Sequence, residues 1–411
     1  MIKKEIMDQL NDPLKLEKLY RSNKNIFKCA IFELAEEKPE SKILQFWKAR
    51  FESNKLNKIP FQTLFNISLI CIIAFLFLRL PNFFLDPEWF YPRFLPVTLF
   101  LSLAAYYQFL KFNSRNTLII VGSALVVTTY GSLLPNIDNS DSAMMSILHL
   151  IPIGLSLFGI SYLGNNLSNI SNRISFIRMC GELFIICVLL FLGGGVFTLF
   201  TVGMFDLVGI DVENWYMLNV GLLGTVTIPI CSAFLFDYFF KDRIYIASLL
   251  AKVFAPLFTM LALFYVIVMI ANGKTPFNDR EFLIIFNAFL ILVLAIVSLS
   301  IISRDGEKPS LYEDGINTLL LVITISINAL ALAAILFRLF EFGISPNRFV
   351  VIGLNIIVFI HLFRLLFSHI HLFQGKSNIQ ATKIKVVDYL SVYVAWSAIV
   401  FFILPLIFNY Q

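Results

Sequence analysis

Residues 246–271 read IASLLAKVFAPLFTMLALFYVIVMIA, with a single charge, Lys252. At about 1.5 Å per residue, a helix of that length measures roughly 39 Å, enough to cross a hydrocarbon core of about 30 Å. Similar runs recur on both sides of it. The spans they predict are roughly 61–80, 94–111, 117–135, 144–164, 179–201, 216–239, 246–271, 281–303, 316–341, 348–373 and 388–409. The fold class expected is therefore all-α: a polytopic transmembrane bundle of about eleven helices over residues 60–411, preceded by a small helical cap over residues 1–59. Composition agrees. Of 411 residues, 58% are hydrophobic and 14% charged, where a soluble globular domain has about 25% charged.

The cap begins with a helix-start signal, Asp12-Pro13, an N-cap followed by a first-turn proline. Leu16, Leu19 and Tyr20 then share one face, and Phe27, Ala30, Ile31 and Leu34 repeat it. Ser41 is placed to cap a further helix carrying Ile43, Leu44, Trp47 and Phe51. So short a unit needs something to pack against, either the membrane domain or a cytosolic protein partner. The first apolar run starts near Phe61, too late for a secretory leader. Residues 1–59 hold 13 Lys/Arg against 9 Asp/Glu. That surplus suits a cytoplasmic segment beside anionic lipid and gives no reason to expect a nucleic-acid partner.

Charge in the loops sets the sidedness. With the N-terminus inside, the inner loops carry Lys111/Arg115, Arg173/Arg178, Lys241/Arg243, Arg304/Lys308 and Lys376/Lys383/Lys385. The outer loops carry Asp86/Glu88, Asp138/Asp141, Asp211/Glu213 and Asp279/Arg280/Glu281. The positive-inside rule then predicts a cytoplasmic N-terminus and a periplasmic C-terminus. Two segments strain the scheme. LPNFFLDPEWFYPRFLP (80–96) has too many prolines for one continuous helix and is expected at the outer interface, with Trp89 and Tyr91 in the aromatic belt. The apolar stretch 179–210 is too long for one upright helix and contains Gly193, Gly194 and Gly195. It predicts a tilted or broken helix followed by an interfacial one, unless the glycines serve close helix packing.

Ionisable groups within the oil mark the candidate site. HLFRLLFSHIH (361–371) holds three of the four histidines. At about 1.5 Å per residue, His361 lies roughly 20 Å beyond Arg348, Arg364 roughly 24 Å and His371 roughly 35 Å, so His369 and His371 are expected at the inner headgroups. His369 and His371 point about 160° apart on a helix, which argues against a shared metal ion. His361, Arg364, Ser368 and His371 form a polar stripe within about 80°. Glu182, Asp237 and Lys252 fall at comparable depth. The candidate inner cluster is therefore Glu182, Asp237, Lys252, His361 and Arg364, or else a set of interfacial ion pairs that fix helix register. A candidate outer pair is Arg338 with Glu341, three apart on one face, near Arg79 and His149. His149 precedes Pro152, which should bend its helix. Cys71, Cys180, Cys187 and Cys231 lie in apolar runs and Cys29 in the cap, with no CxxC pair, so neither a disulfide frame nor a zinc site is indicated. No nucleotide, hydrolase or metalloprotease motif stands in a suitable context, and no catalytic residue or cofactor is nominated.

Several stretches resemble a known family. AKVFAPLFTMLALFYVIVMIANGKTPFNDREFLIIFNAFL (251–290) is similar to a segment of the bacterial multi-pass proteins called domain of unknown function 4153. FGISPNRF (342–349) resembles that family's Tyr-Gly-x-Thr-x-x-Arg turn, with Phe342 and Ser345 as departures. DPEWFYPRF (86–94) and DPLKLEKLYRSN (12–23) also look like versions of it. The resemblance implies a bacterial inner-membrane protein and carries over no catalytic or binding residue. Three functions remain open. The chain is transporter- or channel-like, moving a small solute or ion past the inner cluster. Otherwise it is a sensory or scaffolding subunit docking a partner through residues 1–59, or an intramembrane lipid-modifying enzyme. Oligomeric state is not encoded in any of these features.

Overall fold

In a computed structural model, residues 2–22, 24–53, 60–240, 246–271, 280–304 and 310–411 are described. The loop charges Lys241, Arg243, Lys308 and Asp279 lie outside them. By its contacts the chain divides into two units, Met1–Leu64 and Phe65–Gln411.

The first unit is built from α1 (Ile2–Asp8), α2 (Pro13–Ser22), α3 (Lys24–Glu37) and α4 (Lys42–Ser53). Asp12 caps α2 as expected, its carboxylate accepting from Leu14 N at 3.1 Å and Lys15 N at 3.2 Å. Those amides hold the Asp12 carboxyl below its ordinary value. The apolar faces meet in one core of Ile6, Leu16, Phe27, Ile31, Leu44, Trp47 and Phe51. Lys3 reaches Glu33 at 2.7 Å and so ties α1, which sequence reading did not separate, to α3.

The second unit holds the remaining helices: α5 (Phe61–Arg79), α6 (Pro87–Leu110), α7 (Ser114–Leu133), α8 (Asp141–Leu148), α9 (Leu150–Leu163), α10 (Ile170–Leu207), α11 (Glu213–Tyr216), α12 (Leu222–Leu235), α13 (Ile246–Ala271), α14 (Arg280–Ile302), α15 (Leu311–Phe342), α16 (Pro346–Phe373), α17 (Ile379–Val387), α18 (Leu390–Ala398) and α19 (Leu404–Ile407). Among the described residues, ten helices are long and apolar enough to cross a membrane. The eleventh expected span lies in α6, which at about 36 Å has the length but is less apolar.

Three expectations are corrected. First, α6 runs unbroken through Pro92 and Pro96, and the break is confined to residues 80–86. Pro87 occupies the first turn, where its missing N–H costs nothing. Pro92 and Pro96 are four apart, so both lost amides fall on one side and the opposite ladder continues. Second, of the alternatives for 179–210 the break is not found: α10 is one 38-residue helix that continues through Gly193–Gly195, about 57 Å long, and includes most of the stretch expected to form a separate interfacial helix. A Cβ on any of the three would meet nothing within 4 Å, so they serve no close packing within this chain. Third, the last span starts earlier than residue 388: Lys383 and Lys385 stand on α17, which leads through α18 into α19. The bend expected before Pro152 is present as the interruption at His149 between α8 and α9.

Two cores organise the bundle. One is formed by α13–α17, with Leu290, Val293, Leu320, Leu321, Leu362 and Leu365 at its centre. The other joins α5, α6, α9, α10 and α12 through Tyr106, Phe158, Met179, Leu183 and Ile230. The C-terminal span closes the chain onto α7 and α8. Pro405 lacks an N–H, and residues 399–403 adopt the wider π register before it. Carbonyls loosened there are taken by side chains: Ser146 Oγ donates to Val400 O at 3.1 Å and Tyr130 Oη to Phe402 O at 3.0 Å. Gly353 on α16 lies so close to the Trp396 indole that a Cβ would run into the ring. Gly353→Ala is therefore expected to lower stability by about 1–3 kcal/mol in a thermal unfolding measurement, through overpacking.

Candidate functional site

The five nominated inner residues each find a different partner. Glu182, 2% exposed on α10, accepts from the first two amides of α13, Ile246 N and Ala247 N, both at 3.1 Å. It thus caps another helix's N-terminus, where orphan donors and the helix dipole favour a carboxylate. Lys252 on α13 pairs with Glu313 at 3.0 Å, at the start of α15. The polar stripe of α16 faces α17 and the start of the last span. His361 Nδ1 meets Tyr393 Oη at 3.0 Å and Nε2 meets Lys385 O at 3.3 Å, Arg364 pairs with Asp388 at 2.7 Å, and Ser368 donates to Thr382 Oγ1 at 2.8 Å. His371, at the end of the stripe, is exposed. These groups lie on neighbouring helices but are not gathered into one shared set of contacts.

The outer pair does not form. Among the described residues no ion pair joins Arg338 to Glu341, and Arg338 Nη1 is buried without a hydrogen-bond partner. Glu341 is exposed, and an exposed pair with the acid C-terminal to the base gains too little to fix two long side chains. Arg79 instead donates to Asn219 Oδ1 at 3.1 Å, and His149 Nδ1 meets Met145 O at 2.7 Å.

A second charged centre went unrecognised in the sequence. At the end of α14, Arg304 pairs with Asp314 of α15, both nearly inaccessible. His369, placed at the headgroups by counting residues, is 1% exposed and lies 4.0 Å from the Asp314 carboxylate. Lys383, 5% exposed on α17, donates to Arg304 O at 2.5 Å, and Arg178 of α10 donates to Ile302 O at 2.9 Å. A local signal fixes Asp314. Ser310 caps α15 by accepting from Glu313 N at 3.3 Å, and Asp314 Oδ2 reaches back to Ser310 N at 2.8 Å, a reciprocal cap. Among the described residues, neither ring nitrogen of the buried His369 has a hydrogen-bond partner.

Asp237 has a different setting. It stands on the π-register turn Phe236–Phe240 that ends the α12 span, and Tyr106 Oη donates to its Oδ2 at 3.2 Å. It lines a cavity of about 680 Å³ whose mouth is formed by the α6–α7 and α9–α10 connections, including Lys111, Asn113 and Asn165. The walls are held by their own bonds. Gln108 Nε2 donates to Ser161 Oγ at 3.2 Å and accepts at Oε1 from Asn113 N at 3.2 Å, while Asn113 Nδ2 donates to Asn165 Oδ1 at 2.8 Å. Tyr107, stacked edge-on with Tyr106 at 5.0 Å and with Tyr162 at 5.1 Å, also lines it. Tyr107 was not singled out in the sequence, where fourteen tyrosines offer no way to choose.

No family model, curated protein or solved structure matches the chain.

Proposed function

We propose that this chain is a transporter- or channel-like protein of a bacterial inner membrane that handles a small solute or ion, with its N-terminus cytoplasmic and its C-terminus periplasmic. Membership of the family called domain of unknown function 4153 is part of the same proposal. The observation that carries it is the polar cavity of about 680 Å³ lined by Asp237 within a bundle of apolar helices. Lipid-facing helices need no such cavity, and an ionisable group within a membrane span is a functional candidate by default. The basic loops named above support the orientation, since Lys111 and Asn113 at the cavity mouth then lie on the cytoplasmic side.

The test is flux. Purified protein in vesicles, screened by solid-supported-membrane recording against inorganic ions and small amines, is expected to give currents above those of empty vesicles. Asp237→Asn is expected to reduce them about tenfold or more at equal protein level, the loss of one charge-assisted contact. Wild-type protein that gives no current with any of these solutes would remove the reading.

One set of observations favours a second reading, a sensory or scaffolding subunit. The first unit has a core of its own. Glu182, Lys252, His361 and Arg364 are each tied to a neighbouring helix, as groups that set register would be. Under it, currents are absent and a cytosolic protein is lost from pull-downs when the first unit is deleted.

A further inference from the structure

The first unit carries its charge unevenly. On α3, Phe27, Ile31 and Leu34 turn into the core, while Glu33, Glu36 and Glu37 turn outward. Bases of other helices meet those acids: Lys3 lies 2.7 Å from Glu33 and 3.2 Å from Glu37, and Lys48 lies 3.8 Å from Glu36. The side formed by α2 and α4 has the opposite character. On α2, Leu14, Lys18 and Arg21 fall within an arc of about 60°, and on α4, Lys42, Phe46 and Arg50 fall within about 80°. All six are exposed, Leu14 by 77% and Phe46 by 64%. The two arcs meet at one carboxylate, Glu17, which pairs with Arg21 at 3.0 Å and with Arg50 at 3.5 Å. Lys18 and Lys42 take part in no ion pair among the described residues. This side therefore presents two apolar side chains framed by bases, with a single acid at the junction.

We infer that the α2–α4 side of the first unit docks on an anionic lipid surface, with Phe46 and Leu14 at the acyl boundary and Lys18 and Lys42 at the phosphates. Exposed apolar residues among bases are the pattern that binds such a surface, because the headgroups supply negative charge and the layer beneath them takes the apolar tips. The chain itself supplies the proximity: Phe61, the first residue of the first apolar helix, follows Ser53 at the end of α4 by eight positions. A protein partner would have to bring acids and apolar pockets in matching positions, whereas a bilayer offers both everywhere on its surface. The outward acids of α3 belong to a different side, so a like-charged surface does not repel the docked face. The inference goes beyond the transport reading and does not depend on it, since flux has no part in its test.

The full chain in nanodiscs tests it, with a water-soluble nitrobenzoxadiazole maleimide attached at Ala49→Cys, an exposed position next to Phe46 on α4, in a Cys29→Ser background. Native Cys29, exposed on α3 among its outward acids, carries the same dye as the control, and Cys29→Ser alone reports labelling elsewhere. The discs are phosphatidylcholine alone or mixed with phosphatidylglycerol, each doped with a lipid bearing a nitroxide on its headgroup. The ratio of quenched to unquenched dye at Ala49→Cys is expected to be about tenfold or more higher in the anionic discs, at about fivefold per basic side chain. It is expected to fall to the neutral value in 1 M salt, where the Debye length is about 3 Å. The Cys29 dye is expected to respond to neither change. Lys18→Gln with Lys42→Gln is expected to lower the ratio about tenfold or more, and Phe46→Ser severalfold. The lipid and salt comparisons leave the face intact, so they stand whether or not those variants fold. Equal quenching at Ala49→Cys in the two lipids, or equal lipid dependence at Cys29, overturns the inference. A dye shielded from water yet unquenched in both lipids would give the face to another part of this chain, and a dye in water in both would leave it to a protein partner; either result also overturns it.

Discussion

Arg93→Met is expected to lower the stability of the membrane unit by about 3 kcal/mol, because a buried carbonyl left without its donor costs about 1–3 kcal/mol. Arg93 is 2% exposed on α6, yet among the described residues its hydrogen bonds go to no carboxylate. Its guanidinium donates to four carbonyls: Trp89 O at 2.8 Å, Gly131 O at 3.1 Å, Leu134 O at 3.2 Å and Pro135 O at 2.7 Å. The last three lie at and just beyond the end of α7, where carbonyls have no helical donor, and the negative end of the helix dipole points at the cation. Trp89 adds a ring face 4.9 Å from the guanidinium carbon. Methionine fills much of the volume but leaves those carbonyls, two of them in buried bonds to Arg93, without that donor. Lysine has one ammonium and no fork, so Arg93→Lys is expected to recover only part of the loss. Thermal unfolding in nanodiscs, with the steady-state protein level alongside, reads the effect. Arg93→Met at wild-type stability would mean that the α7 end is satisfied some other way.

Asp314→Asn is expected to cost about 3 kcal/mol by the same measurement, because it removes the carboxylate from beside the buried Arg304 guanidinium. The amide can still accept from Ser310 N, so the cap of α15 survives and the loss isolates the charge. A paired change, Arg304→Met with Asp314→Leu, is expected to restore most of the stability, since burying two charges gains little over packing two apolar side chains. Lys383 is held by the Arg304 carbonyl, which that double change leaves in place. A single Asn variant as stable as wild type would show that the carboxylate charge does not hold this corner of the bundle.

Residues that signal through their own neighbours in sequence were legible. Asp12-Pro13 opens α2, and Pro152 marks the break at His149. Ser345 Oγ accepts from Arg348 N at 3.4 Å, and Arg348 Nη1 returns to Gly343 O at 2.7 Å, closing the turn read as FGISPNRF. The prolines of α6 misled because they were weighed by their number and not by their spacing. Their common spacing of four, and the packing of α6 along α9, outweigh two missing amides. His369 misled for another reason. Counting residues along a helix gives depth, but not whether a neighbouring helix covers the side chain, and α14 and α15 supply Arg304 and Asp314 at that spot.

That the chain is a series of oily helices, and where several of them start, follows from the sequence alone, because the apolarity of a run and the pull of a cap are local properties. Partnership among the charged groups was decided only by the tertiary structure. Lys383 and Arg304 stand 79 positions apart, and Tyr106 and Asp237 are separated by 131. In a bundle where most surfaces are equally apolar, hydrophobicity does not choose which helices touch, so the polar groups find each other only once packing has brought them together.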